Sequence, residues 1–217
     1  MKVLVTAGST EVPIDKVRVI SNIFGGRTGT AIAEYFFSQG DEVTLITSNP
    51  SLVKVLDSKL KVISFRTYDQ LLESMSLEII TNNFDVIIHS AAVSDYYVSD
   101  VYVMGPDGSL VLVDKSKKIS SAHSSLFLEM KPTLKIIDLI RKIWGFSGRL
   151  VKFKLEVGIS DEELIAIAQK SREASEADLI VANCLEWSDR YAYIISESGS
   201  IRVSRKGLAK KLMSLLT

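Results

Sequence analysis

Apolar residues recur along this chain in two rhythms, and the rhythms alternate. Val3-Leu4-Val5 and Val86-Ile87-Ile88 are short runs that are apolar at every position, as in central strands covered on both faces. Strand-like segments at Lys2–Thr6, Glu42–Thr47, Leu60–Phe65 and Val86–Ser90 are separated by helical spacing over Thr28–Gln39, Ser51–Leu56 and Tyr68–Ile80. That alternation predicts a parallel sheet wrapped by helices, with Gly40-Asp41 turning the first helix into the second strand.

After Ser90 the rhythm breaks. Tyr96–Val103 and Leu110–Val113 flank Pro106-Asp107-Gly108, whose turn chemistry predicts a β-excursion. The pattern then resumes with a helix expected from Pro132 to about Trp144, a strand at Leu150–Val157, a capping box at Ser160-Asp161-Glu162-Glu163 and a strand at Asp178–Asn183. A hairpin of Tyr191–Ile195 and Ile201–Val203 around Glu197-Ser198-Gly199 and an amphipathic helix over Lys206–Leu216 close the chain. The expected fold is α/β: one domain over residues 1–217, doubly wound and Rossmann-like, with a mainly parallel sheet, helices on both faces and added β-hairpins.

A chain of 217 residues that is 47% hydrophobic can bury one sizeable core. Lysine plus arginine equals aspartate plus glutamate at 26 each, so no net field gathers nucleic acid or an anionic membrane, and any anion must be held locally. Cys184 stands alone, the N-terminus enters a strand without a signal-like core, and no apolar stretch approaches the roughly 20 residues of a membrane span. A cytoplasmic protein is expected.

In an open parallel sheet, ligands bind beyond the carboxyl ends of the strands where strand order reverses. The segment Thr6–Gly29 is long for a strand-to-helix connection and ends in Gly25-Gly26-Arg27-Thr28-Gly29. Glycines there let backbone amides approach an anion at a helix N-terminus; equally, they serve only to turn the loop and pack the helix. Ser90-Ala91-Ala92-Val93-Ser94-Asp95-Tyr96 offers small residues for close approach and a carboxylate, Asp95, that suits a ribose, a base or a metal ion, or simply caps its loop. The basic stretch Asp114–Ser121 reads as a solvated charge run or as a loop whose ammonium groups close over phosphates.

Nicotinamide chemistry fits poorly. Its fingerprint wants glycines directly after the first strand and an acid after the second, whereas Thr47-Ser48-Asn49 stands there. No tyrosine has a lysine four residues on. His89, His123 and Cys184 form no metal-like cluster and are assigned no chemical role.

Thr6-Ala7-Gly8-Ser9-Thr10, Pro13-Ile14-Asp15, Val17-Arg18, Ile20-Ser21-Asn22 and Gly26-Arg27-Thr28-Gly29 resemble the opening of the phosphopantothenate–cysteine ligases. The resemblance continues through Ala91–Tyr96, Lys118–Ser121, Pro132, Phe153–Glu156 and Asp178–Asn183, covering nearly the whole chain. It implies a ligase of coenzyme A biosynthesis, in which the carboxylate of 4′-phosphopantothenate attacks the α-phosphate of CTP or ATP and cysteine's amine then displaces the nucleotide.

By that resemblance, Asn22 and Lys118 are catalytic, Asn22 holding the activated acyl group and Lys118 lying over the α-phosphate, with Lys115 and Lys117 as alternative registers. Gly25, Gly26, Gly29, Ser90, Ala91, Asp95, Lys118 and Phe153 are expected at the nucleotide, and Arg18, Asn22, Ala91 and Ala92 at the pantothenate substrate. Magnesium with CTP or ATP is implied, and no flavin. So are a homodimer formed through the excursion and a separate protein for the flavin-dependent decarboxylase often fused N-terminally. Phe24-Gly25 stands where many members carry two serines, and Ser171 and Ser175 stand where bacterial members often place nucleotide-contacting lysines, which leaves nucleotide choice open. The alternatives are a nicotinamide- or flavin-binding reductase and a non-catalytic nucleotide-binding relative.

Overall fold

The computed structural model describes residues 1–55 and 57–217. Its first half runs β1 (Lys2–Ala7), β2 (Glu11–Pro13), β3 (Val19–Ser21), α1 (Arg27–Ser38), β4 (Glu42–Thr47), β5 (Lys61–Ser64), α2 (Tyr68–Thr81) and β6 (Val86–His89). Then follow β7 (Tyr96–Met104), β8 (Leu110–Leu112), β9 (Leu126–Pro132), α3 (Ile136–Lys142), β10 (Arg149–Glu156), α4 (Asp161–Ala174), β11 (Leu179–Cys184), β12 (Tyr191–Ser196), β13 (Gly199–Ser204) and α5 (Leu208–Leu216).

Eight strands form the main sheet in the order β13-β12-β11-β10-β6-β1-β4-β5. The six from β5 to β11 are parallel, and the β12–β13 hairpin adds two antiparallel strands at one edge. Strand order reverses between β1 and β6, which places the expected binding crevice beyond Ala7 and His89.

Side-chain alternation splits the core. Val3, Val5, Ile88, Val151 and Val181 face α1 and α5, where Ile32, Phe36, Leu208 and Leu212 meet them. Leu4, Ile87 and Leu150 face α2 and α3, meeting Leu71, Met75, Ile136 and Ile140. The third packing unit sets Leu164 and Ala168 of α4 against Ile180 and Ala182. Burying each such aliphatic side chain contributes about 1.5–3 kcal/mol, so the doubly covered sheet dominates stability.

Local signals agree where they are strong. Ser160 and Glu163 form the expected capping box, with the Glu163 amide on Ser160 Oγ at 3.2 Å and the Ser160 amide on Glu163 Oε2 at 3.1 Å. Leu208, Leu212 and Leu216 of α5 recur every fourth residue on its buried face. Among the described residues, no helix is long and apolar enough to cross a membrane.

Three expectations are corrected. Pro132 does not open a helix: it ends β9 opposite Tyr96, and α3 begins only at Ile136. A proline at the end of an edge strand loses no ladder bond, which makes this position as suitable as a helix start. The excursion is a separate three-stranded sheet, β8-β7-β9, instead of a single hairpin. Over the expected helix Ser51–Leu56 there is one 3₁₀ turn at Pro50–Leu52, and Leu56 lies outside the described residues.

Candidate functional site

The chain leaves β1 and β6 side by side, and both continuations run on in parallel past the sheet. The Ala92 amide donates to the Gly8 carbonyl at 2.8 Å and the Thr10 amide to the Ala92 carbonyl at 3.2 Å. Ser94 N–H donates to Thr10 Oγ1 at 2.8 Å, and Thr133 ties the Ser94 carbonyl through its hydroxyl at 2.8 Å. Thus the two loops that flank the strand-order reversal form one bonded floor.

Thr6 joins the strands beneath that floor. Its Oγ1 accepts from the amides of Ser90 and Ala91, each at 3.1 Å, so its own proton goes to His89 Nδ1 at 2.9 Å. The imidazole therefore carries its proton on Nε2. Burial, with Lys152's charge adding, pushes the His89 pKa down to about 4, so the ring is neutral near pH 7. His89 is a buried linker, as expected of a histidine inside a strand.

Gly26 and Gly29 hold α1 against this junction. Gly26 has φ +88°, and a Cβ on it would lie 2.6 Å from the Gly8 nitrogen. A Cβ on Gly29 would lie 2.7 Å from Ala7 Cβ and 2.9 Å from the Thr6 carbonyl oxygen. Close packing therefore demands both glycines, whereas Gly25 has nothing nearer than Asn49 Nδ2 at 4.0 Å. Helix α1 starts without a side-chain cap or an acidic residue in its first turn, leaving its positive end free to face an anion.

Asn22 hangs over the floor. Its Nδ2 donates to the Ala92 carbonyl at 3.3 Å, and its own carbonyl accepts from Ser9 Oγ at 3.3 Å. Ser90, Ala91 and Ala92 line the same crevice, and Asp95 at its rim is exposed. Phe153 lies on β10, one residue past the Lys152–His89 pairing and thus level with Ser90 on the adjoining strand. The structure gathers Asn22, Ala91, Ala92, Ser90, Gly26 and Gly29 around the crevice, with Phe153 one strand away.

Lys118 belongs to a different part of the molecule. Beyond Asn22 the chain runs back through β3 to the tip of the β2–β3 hairpin, where Arg18 meets Asp15 and the backbone of Ile119. Lys118 precedes Ile119 and is exposed. Lys115 is instead bound by its ammonium group to the carbonyls of Val98 and Ser99, both at 2.6 Å. Lys115 is thereby held on β7, whereas Lys117 and Lys118 are exposed. Arg18 spends Nε and Nη2 on protein atoms and leaves Nη1 without a protein partner among the described residues.

A family model for the DNA/pantothenate metabolism flavoprotein C-terminal domain matches residues 1–213. The chain belongs to that family. It is 37% identical over 211 residues to the coenzyme A biosynthesis bifunctional protein CoaBC of Thermococcus kodakarensis, covering 97% of this chain and 46% of that protein. The protein of the same name from Methanocaldococcus jannaschii is 30% identical over 219 residues, 98% of this chain and 49% of the relative. The chain thus spans about half the length of the curated relatives it matches. Among solved structures, the DNA/pantothenate metabolism flavoprotein from Streptococcus pneumoniae superposes with a TM-score of 0.88 at 33% identity, covering 99% of this chain and 97% of that one.

Sequence reasoning gave no role to three groups that tie these loops together: Thr6, Asp15 and Ile119. Thr6 carries a local signal, a hydroxyl placed among apolar residues at the end of a buried strand. Asp15 and Ile119 are joined across 104 residues, a relation that no local pattern carries.

Proposed function

We propose that this chain is a phosphopantothenate–cysteine ligase, a carbon–nitrogen ligase of coenzyme A biosynthesis. The observation that carries the reading is the position of Asn22. In a chain of this family, its amide is fixed against Ala92 in the crevice where strand order reverses, beside the uncapped start of α1.

Two anions must first be brought together. A carboxylate oxygen of 4′-phosphopantothenate attacks the α-phosphorus of CTP or ATP, the bond to the β-phosphate oxygen breaks, and pyrophosphate leaves. At about 4 Å, like charges repel by about 4 kcal/mol near a protein surface, so positioned donors and cations decide whether they meet. The first-turn amides of α1, the Asn22 side chain and the Lys118 ammonium are groups of the required kind. In the second step cysteine's amine adds to the acyl carbon, the nucleotide monophosphate leaves with the bonding pair, and the amide forms after loss of a proton.

A magnesium ion arriving with the triphosphate would take most of its ligands from phosphate and water and would offset charge on the phosphates. Asp95, exposed at the crevice rim, is the one carboxylate among the named site residues that could complete such a shell. Asn22 supports the second step by donating to the acyl oxygen. Phe153 supplies an apolar edge for the base, and Gly25, Ala91 and Ala92 keep the crevice open.

A second copy of the chain is the partner we assign to the β8-β7-β9 sheet. Leu110, Val111 and Leu112 are all exposed on its edge strand, and Phe127 and Met130 are exposed on β9, an apolar edge that calls for a cover. Sedimentation at micromolar concentration should give a dimer, and a monomer would refute it. A flavin-dependent decarboxylase is the enzyme we assign to the amide product.

The deciding assay supplies magnesium, phosphopantothenate, cysteine and either CTP or ATP, and measures pyrophosphate and amide. Wild-type protein should form both with one nucleotide. Asn22→Asp should release pyrophosphate in the first turnover yet make the amide far more slowly. No pyrophosphate with any nucleoside triphosphate would end the ligase reading.

A further inference from the structure

The carboxylate of Asp15 is fully buried and more heavily bonded than any other in the excursion or its contacts. Its Oδ1 accepts from the amides of Val17 and Arg18, both at 2.8 Å. Its Oδ2 accepts from Arg18 Nε at 3.0 Å, Arg18 Nη2 at 2.5 Å and the Ile119 amide at 3.0 Å. Arg18 Nη2 also donates to the Ile119 carbonyl at 2.7 Å. Ile119 is thereby gripped at its N–H, at its carbonyl and, among Val12, Val98 and Val101, at its side chain.

This grip stands where it matters for the neighbouring residue. Lys118, immediately before Ile119, is exposed. The hairpin that carries Asp15 and Arg18 at its tip leads four residues on to Asn22, an extended span of roughly 13 Å. One short element thus sets the place of Asn22 in the crevice and the C-terminal anchor of the lysine loop. Lys115 anchors the N-terminal side of the loop on β7; without the clamp the C-terminal side, which carries Lys118, would lose its polar anchor, and a 1 Å error in placing a catalytic group can cost about a hundredfold in rate.

Resting on the ligase reading, we propose that Asp15 is a positioning residue. Through Arg18 and both backbone groups of Ile119 it fixes where the Lys118 ammonium can act. Removing the charge of Asp15 alone frees Ile119, and the loop with it, while Asn22 and the crevice stay in place.

Asp15→Asn in the full chain is the test, read in two independent ways. Limited trypsin digestion, with cut sites assigned by mass spectrometry, should cleave after Lys118 about tenfold faster in Asp15→Asn than in wild type, because cleavage follows the population of the opened segment. Turnover should fall about tenfold in the wild-type background but less than about twofold in a Lys118→Gln background, the non-additivity expected when one residue acts through another. Equal losses in both backgrounds, or an unchanged cut after Lys118, would overturn the clamp. If Asp15→Asn does not fold, Arg18→Lys, which keeps a cation beside Asp15 but loses the bond to the Ile119 carbonyl, is read in the same two ways and decides it. Wild-type protein that releases no pyrophosphate counts against the ligase reading, and the trypsin result alone then judges the clamp.

Discussion

The crevice side and the lysine side of the molecule are held by opposite means. At the α1 flank, backbone meets backbone: Gly26 lies on Gly8, and Gly29 lies on Ala7 and the Thr6 carbonyl, at separations that exclude one added carbon. At the lysine flank, side chains reach long distances to grip backbone, with Asp15 and Arg18 on Ile119 and Lys115 on Val98 and Ser99. A steric flank fails with the fold, because nothing can shift without unpacking the sheet. A polar flank can be loosened bond by bond while the core stays intact, so only there do stability and chemistry separate in mutants.

The largest expected effect is therefore at the steric flank. Gly29→Ala should lower unfolding free energy in urea by about 3 kcal/mol or more, since its Cβ would press on Ala7 Cβ and the Thr6 oxygen, neither of which is the end of a flexible chain. Gly25→Ala, with open space around it, should stay within about 0.5 kcal/mol of wild type. Similar values for the two glycines would dissolve the distinction between a packing glycine and an open one.

Thr6→Val comes next, by about 2 kcal/mol. The substitution keeps the shape but leaves the Ser90 and Ala91 amides and His89 Nδ1 without their shared partner. Chemical denaturation measures the loss. A change of a few tenths would mean that the strand ends are held by the floor bonds above them and not by this hydroxyl.

Lys115 and Lys118 sharpen the contrast within the polar flank. Lys115→Gln should cost about 1 kcal/mol in unfolding free energy, through two lost bonds to β7 carbonyls, and leave turnover of the folded protein within about twofold. Lys118→Gln should do the reverse, with an unchanged melting temperature and impaired turnover. Exchange of these two outcomes would move the loop's working lysine to Lys115.

What the sequence could disclose follows the same division. The doubly wound sheet was legible because Val3–Val5 and Val86–Ile88 are apolar throughout and recur between helical spacings, and Ser160 with Glu163 announced its own helix. Pro132 misled because a proline suits both a helix's first turn and an edge strand's end, and only pairing with Tyr96 decides which. Strand β9 escaped notice because the residues flanking it, from Ser120 to Ser125, offer no apolar rhythm, while β2 and β3, three residues each, are too short for a period. Local residue type marked the glycines of α1 as special but not which of them packs. Resemblance drew attention to Arg18 and Lys118, yet the bonds that occupy Arg18 and separate Lys115 from Lys118 come from tertiary contacts across up to 104 residues.

The last effect concerns pH and returns to the hydroxyl junction beneath the crevice. His89 is buried and bonded as a neutral ring, with its pKa pushed down to about 4 from an ordinary value near 6.5. Above about pH 6.5 neither the folded nor the unfolded state protonates this side chain, so it adds no pH dependence. As pH falls from about 6.5 to about 4, the unfolded chain takes up a proton that the folded chain refuses, and stability declines across that window. Below about pH 4 both states hold the proton and the slope from this residue ends. Urea unfolding measured from pH 7.5 to 4 should show this decline, and His89→Gln should remove about one proton from its slope. Asp15 pulls in the same direction at lower pH, because Arg18 and the Ile119 amide hold its carboxyl well below the usual range, so its contribution persists until the medium falls below about pH 4. A slope between pH 6.5 and 4 that His89→Gln leaves unchanged would place the neutral, Thr6-bonded imidazole in doubt, and with it the hydroxyl junction that ties the ends of β1 and β6.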